Sequence, residues 1–110
     1  VTSPVQITGP AAAEIDEAAA WIQARNPEAA RRWFWGLLAA IEALAVFPAK
    51  HPVARSESEH FGVTIRQLIC GKGAGRYRVL YAVLGDSVFV LHVRHGRRRR
   101  LGETWPLSEA

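Results

Sequence analysis

Apolar and polar residues change rhythm along this chain, and the changes mark out its elements. Val5, Gln6, Ile7 and Thr8 alternate, as a short strand does. Gly9-Pro10 ends that run and suits the start of a helix, with Thr8 or Gly9 as its cap. Ala11, Ile15, Ala18 and Ile22 then recur at helical spacing and form one apolar stripe. Glu14, Asp16 and Glu17 occupy the early turns, where carboxylates favour the helix dipole. Asn26-Pro27 is a break and a restart: the residue before proline avoids helical dihedrals, and Asn is a good N-cap. A second helix is predicted from Pro27 to about Val46, with Ala30, Phe34, Leu37, Ile41 and Leu44 on one face. Two striped helices joined by so tight a corner should pack as an antiparallel hairpin.

Phe47-Pro48 stops the second helix, and residues 48–62 read as a loop. The apolar period then changes to two. Val63–Cys70, Arg76–Leu84 and Ser87–Arg94 are predicted strands, with Gly71–Gly75 and Gly85-Asp86 as their connections. The expected fold is therefore α+β. An N-terminal strand and an antiparallel helical hairpin pack on a three- to four-stranded antiparallel sheet. The whole is expected to form one domain over residues 1–110, with its core at about 5–98 and a tail beyond.

The last two strands pose a question of register. Tyr77, Val79, Tyr81 and Val83 share one face; Phe89, Leu91 and Val93 share another. A connection with an odd number of residues, such as three, puts both sets under the helices, and burial favours that choice. The opposite face would then show Arg76, Arg78, His92 and Arg94 as an open basic patch, continued by Arg97, Arg98, Arg99 and Arg100.

Charge strengthens this picture. The chain has 110 residues and a formal net charge of +4. Residues 1–59 hold five basic and seven acidic side chains, whereas residues 60–110 hold nine and three. Such asymmetry points to an acidic partner, with a solvated basic surface as the plain alternative. Guanidinium forks grip phosphates or carboxylates, and His92 or His95 could move protons near neutral pH. Cys70 is the only cysteine, which excludes an internal disulfide and fits a reducing cytoplasm. No apolar run approaches the ~20 residues needed to span a bilayer, so no membrane partner is expected.

Other chemistry is poorly supported. Gly71-Lys72-Gly73-Ala74-Gly75 lacks the P-loop pattern and precedes no helix. His51, His60, Glu57 and Glu59 match no metal spacing, and neither metal nor cofactor is expected. The four tryptophans suggest a protein interface, with Trp33, Trp35 and Trp105 as its candidates.

The block Gly75-Arg76-Tyr77-Arg78-Val79-Leu80-Tyr81, a Gly-Asp turn, then Val88-Phe89-Val90-Leu91-His92-Val93-Arg94-His95-Gly96-Arg97-Arg98 resembles the RelE/ParE superfamily of toxins. The Asn26-Pro27 corner and the Phe47-Pro48 stop also fit, so the resemblance runs from about Val5 to Arg98. It implies the toxin of a type II toxin–antitoxin pair, neutralised by a cognate antitoxin that covers it with helices and sometimes a strand. Two activities follow from it. RelE-like members cleave mRNA on the ribosome; ParE-like members poison DNA gyrase and need no catalytic residue.

For RNA cleavage the resemblance implies Arg78, Arg98 and His95 as catalytic residues. For target or nucleic-acid binding, Arg76, Arg78, His92, Arg94, Arg97 and Arg98 are the candidates. Nuclease members often carry lysines or a glutamate on the strand where this chain offers only Arg66, and a tyrosine near the C-terminus where it has Thr104. The His95-Gly96-Arg97 ending looks more like the ParE branch. An inactive, antitoxin-binding relative is a further alternative.

Overall fold

The computed structural model describes residues 2–71 and 76–95. In chain order its elements are β1 (Val5–Ile7), α1 (Gly9–Arg25), α2 (Pro27–Ala43), a 3-10 turn (Pro48–Lys50), α3 (Arg55–Phe61), β2 (Arg66–Cys70), β3 (Tyr77–Leu84) and β4 (Ser87–His95). The strands form one sheet in the order β1-β4-β3-β2. This is the expected α+β arrangement, with a refinement at the first strand. β2, β3 and β4 are antiparallel, but β1 lies parallel to β4. The α1–α2 hairpin, α3 and two strands separate β1 from β4, so their connection is the long crossover that a parallel neighbour requires.

Local chemistry sets the junctions. Thr8 ends β1 and caps α1 together: its Oγ1 donates to the Val90 carbonyl at 2.8 Å and accepts from the Ala11 N–H at 3.4 Å. Asn26 serves both helices. Its backbone is extended (φ −159°, ψ 98°), as a residue before proline must be, its N–H closes α1 on the Ile22 carbonyl, and its Oδ1 accepts from the Ala29 N–H at 3.1 Å.

The predicted stripes meet the sheet. Ala11 and Ile15 of α1 and Leu37 and Ile41 of α2, with Leu44 just beyond, pack on Tyr77, Val79, Tyr81, Val88, Val90 and Val93. The Tyr77 and Tyr81 rings thus face inward beneath the hairpin. The expected three-residue connection is absent. Leu84 pairs with Ser87 across a two-residue turn, with Gly85 at φ +64° where a type II′ turn takes glycine. Val83 and Tyr81 are therefore opposite Val88 and Val90, and these valines, not Phe89 and Leu91, reach the hairpin core. An extra residue in β4 then shifts the register, so that Leu80 pairs with His92 and Val79 with Val93. The bulge returns Val93 to the core face and leaves Leu91 on the other.

That other face is also covered. Residues 48–62, expected as a loop, contain α3, which closes on a left-handed Gly62 (φ +74°). Ala54, Ile65, Leu80 and Ala82 form a second small core, with Leu91 packed against it. Ser58 fastens the segment: its Oγ donates to the Ala54 carbonyl at 2.7 Å and accepts from the Ile65 N–H at 2.8 Å. Seven residues whose one apolar side chain is the terminal Phe61 carry too little periodicity to betray a helix.

Tyr81 is fully buried and its hydroxyl donates to the Pro48 carbonyl at 2.6 Å, tying the 3-10 turn after α2 to the sheet. Burial raises its phenol above the ordinary value of 10.0, partly offset by the Arg66 charge and by a hydrogen bond with the His51 backbone. A raised folded-state value means that the native state holds the proton longer than the unfolded chain. Stability is then unaffected below about pH 10 and falls as pH rises through the folded value. Y81F is expected to cost about 1 kcal/mol at neutral pH and to flatten the alkaline fall, measured by urea unfolding of both proteins between neutral and alkaline pH.

Candidate functional site

The charged end of the sheet lies beside α3. Arg78 of β3 and Arg94 of β4 are direct cross-strand partners, so two guanidinium-bearing chains rise side by side from one face. Like charges in that position repel. The fold answers with two carboxylates from different helices. Glu57 of α3, 1% exposed at its side chain, accepts from Arg78 Nη2 at 3.0 Å. Gln67 of β2 accepts through one oxygen from Arg78 Nε at 3.0 Å and Nη2 at 2.8 Å. Glu14 of α1 forms an ion pair with Arg94 at 3.6 Å, and the Arg94 side chain is only 1% exposed.

Glu14 does more than balance charge. It accepts the Val93 N–H at 2.8 Å, so it caps the edge of β4 after β1 has ended. Its two oxygens also lie 3.3 and 3.2 Å from His92 Nδ1. The Phe61 ring is stacked on His92, 6.2 Å between centroids with the planes 27° apart. One carboxylate thus joins α1 to three consecutive residues of β4, and α3 closes the site through Phe61.

The expected open basic patch is therefore a covered, partly neutralised cluster. Arg76 is exposed, Arg78 is engaged by Glu57 and Gln67, and Arg94 is buried. His95 goes elsewhere. It pairs with Tyr77 across the strands and packs edge-on against that ring at 5.1 Å, on the helical-hairpin face. Because side chains alternate along a strand, His95 and Arg78 stand on opposite faces of the sheet. Arg97, Arg98 and Trp105 lie outside the described residues, as do residues 72–75 of the Gly-rich connection.

The remaining tryptophans divide. Trp33 is half-buried, its ring 5.0 Å from that of Tyr77. Trp35 is 63% exposed on the outer side of α2. Trp21 is also exposed, with the Arg25 guanidinium 3.6 Å above its ring. Cys70 is half-buried at the end of β2, and burial pushes its thiol up, away from the thiolate form that reacts. Among the described residues no three His, Cys, Asp or Glu side chains group as metal ligands would.

Glu14, Glu57 and Gln67 are the residues that sequence reasoning missed. Glu14 read as a helix-dipole carboxylate, and Glu57 as a loop residue. Only the placement of α1 beside the β4 edge, and of α3 over the sheet, turns them toward the arginines.

A strand, a tight helical hairpin and an antiparallel three-strand block with inward tyrosines define the RelE/ParE type of toxin fold. The family model described as the ParE toxin of the type II toxin–antitoxin system parDE matches residues 5–100. The chain belongs to this family and is the toxin of a type II toxin–antitoxin system. No curated protein matches it. Among the described residues no helix is long and apolar enough to cross a membrane.

Proposed function

We propose that this toxin acts in the cytoplasm by binding DNA gyrase and stalling it, without a catalytic step of its own, and that a cognate antitoxin neutralises it. The observation that carries this reading over RNA cleavage is the state of the sheet arginines. Phosphoryl transfer needs cationic groups poised at the reacting phosphate, with a proton-transfer group beside them. Here Arg78 is committed to Glu57 and Gln67, Arg94 is buried beside Glu14, His92 on the same face is engaged by Glu14, and His95 lies on the opposite face. A binding toxin requires no such constellation.

The experiment pairs two readouts. Purified toxin is expected to inhibit supercoiling by gyrase, and expression in cells to arrest growth with DNA damage while mRNA stays intact. Unchanged supercoiling together with cleaved transcripts would instead favour a ribonuclease.

Trp35 supplies the antitoxin arm. A large aromatic ring exposed on a rigid helix is an economical anchor for a protein partner. W35A is expected to leave the melting temperature within about 2 °C, as a surface change does, and to weaken antitoxin binding by about 2 kcal/mol, read by titration calorimetry. Trp33 is a poorer probe, because its contact with Tyr77 would confound binding with folding.

A further inference from the structure

The α2 helix is apolar on two sides, and the fold covers one of them. Its inner stripe, with Leu37 and Ile41, packs on the sheet. Its outer side carries a second run at helical spacing: Trp35, Ala39, Ala43 and Val46, all exposed. Val46 continues the helix through a bond from its N–H to the Ala43 carbonyl; it is 53% exposed, and Phe47 after it 67%. Charge on this side is divided end to end. Arg31 and Arg32 precede Trp35, Glu42 follows Ala39, and all three are exposed. Glu28 offsets Arg31 only weakly, at 4.0 Å with both side chains in solvent. Arg32 and Glu42 have no ion-pair partner among the described residues. Such a surface is complementary to itself when reversed, whereas parallel pairing would set arginine on arginine. Gly36 adds a separate observation. A Cβ there would meet no atom within 4 Å among the described residues, so the fold itself has no need of this glycine. Glycine inside a helix weakens it relative to alanine, and what it offers in return is close approach of another backbone.

We infer that the outer face of α2 pairs with the same face of a second copy of this chain, the two helices antiparallel about a two-fold axis near Gly36. This order lays Trp35 against the partner's Ala39 and brings Arg31 and Arg32 to the partner's Glu42. An isologous contact makes each of these attractions twice. One helix face of this length falls short of the about 800 Å² per partner of a stable interface. The dimer is therefore weak, with a Kd on the order of 10–100 μM. The pairing does not depend on whether the antitoxin also uses Trp35; where it does, the two contacts exclude each other.

The full-length toxin, free of antitoxin, is followed by sedimentation equilibrium from about 1 to 300 μM, a range that brackets the expected Kd. Wild type is expected to pass from monomer to dimer across it. A39R puts a long cation at the crossing on an exposed position, and is expected to stay monomeric with an unchanged melting temperature. R31E/R32E and E42R are each expected to weaken pairing by about tenfold. R31E/R32E/E42R exchanges the two ends and is expected to recover affinity to within about threefold of wild type. A wild type that stays monomeric throughout overturns the dimer and leaves this face to the antitoxin, whose affinity is read separately by calorimetry. A dimer that persists in A39R overturns the face. Charge variants that pair like wild type, or a triple variant as weak as its parents, overturn the antiparallel order.

Discussion

R78A is expected to destabilise the protein by about 3–5 kcal/mol, because it leaves a buried carboxylate without its cation. Glu57 is 1% exposed at its side chain, so water cannot replace the guanidinium without opening α3. In a domain of this size each kcal/mol moves the melting temperature by about 4–8 °C, which makes the loss easy to see by thermal or urea unfolding. E57Q/R78Q, which removes both charges, is expected to recover much of it, since a neutral pair carries no uncompensated charge. A melting temperature for R78A within about 2 °C of wild type would show that the pair is solvated after all. The result bears directly on function. In this fold a non-toxic R78A reports a disrupted α3, so loss of toxicity alone is no evidence for catalysis by Arg78. Toxicity of the folded E57Q/R78Q protein is the informative measurement.

E14A is expected to cost a similar amount, again about 3–5 kcal/mol, although Glu14 lies on a different helix. Its carboxylate serves Arg94, whose side chain is 1% exposed, together with the Val93 N–H and His92. Removing it takes away an ion-pair partner of a buried guanidinium and the acceptor of a backbone donor at the β4 edge. E14Q keeps an oxygen for Val93 and is expected to cost less, which separates the hydrogen bond from the charge. The two variants are compared by denaturant midpoints at constant pH. If E14A loses under about 1 kcal/mol, as an exposed ion pair would, the node does not hold α1 to the sheet. An E14A toxin that stays folded should show its largest increase in hydrogen exchange at Val93 and along the end of β4.

These two nodes show where sequence reasoning reaches its limit. The helical hairpin was legible because Ala11, Ile15, Leu37 and Ile41 repeat with the helix, and because Asn26-Pro27 admits one local solution. The strand block was legible from its period of two and from its resemblance to the toxin superfamily. The orientation of Tyr77 and Tyr81 followed from both. The face of Phe89 and Leu91 did not, because it rests on turn length and a bulge. A single added residue inverts the alternation while leaving the apolar pattern equally plausible. Basic composition likewise announced a patch but not its state: nothing near Arg78 or Arg94 in the chain names Glu57 or Glu14.

What the chain determined by itself is whatever depends on neighbours a few residues apart: caps, breaks, stripes and alternation. From these came the α+β class, the inward tyrosines and the toxin family. Tertiary structure alone decided the parallel docking of β1 on β4, the covering of the second face by α3, and the pairing of Arg78 with Glu57 and of Arg94 with Glu14. These contacts join residues 21 and 80 positions apart in sequence. Coulomb attraction and desolvation act through space, so charge along a chain says how much cation there is, while folding decides which cations remain open to a partner.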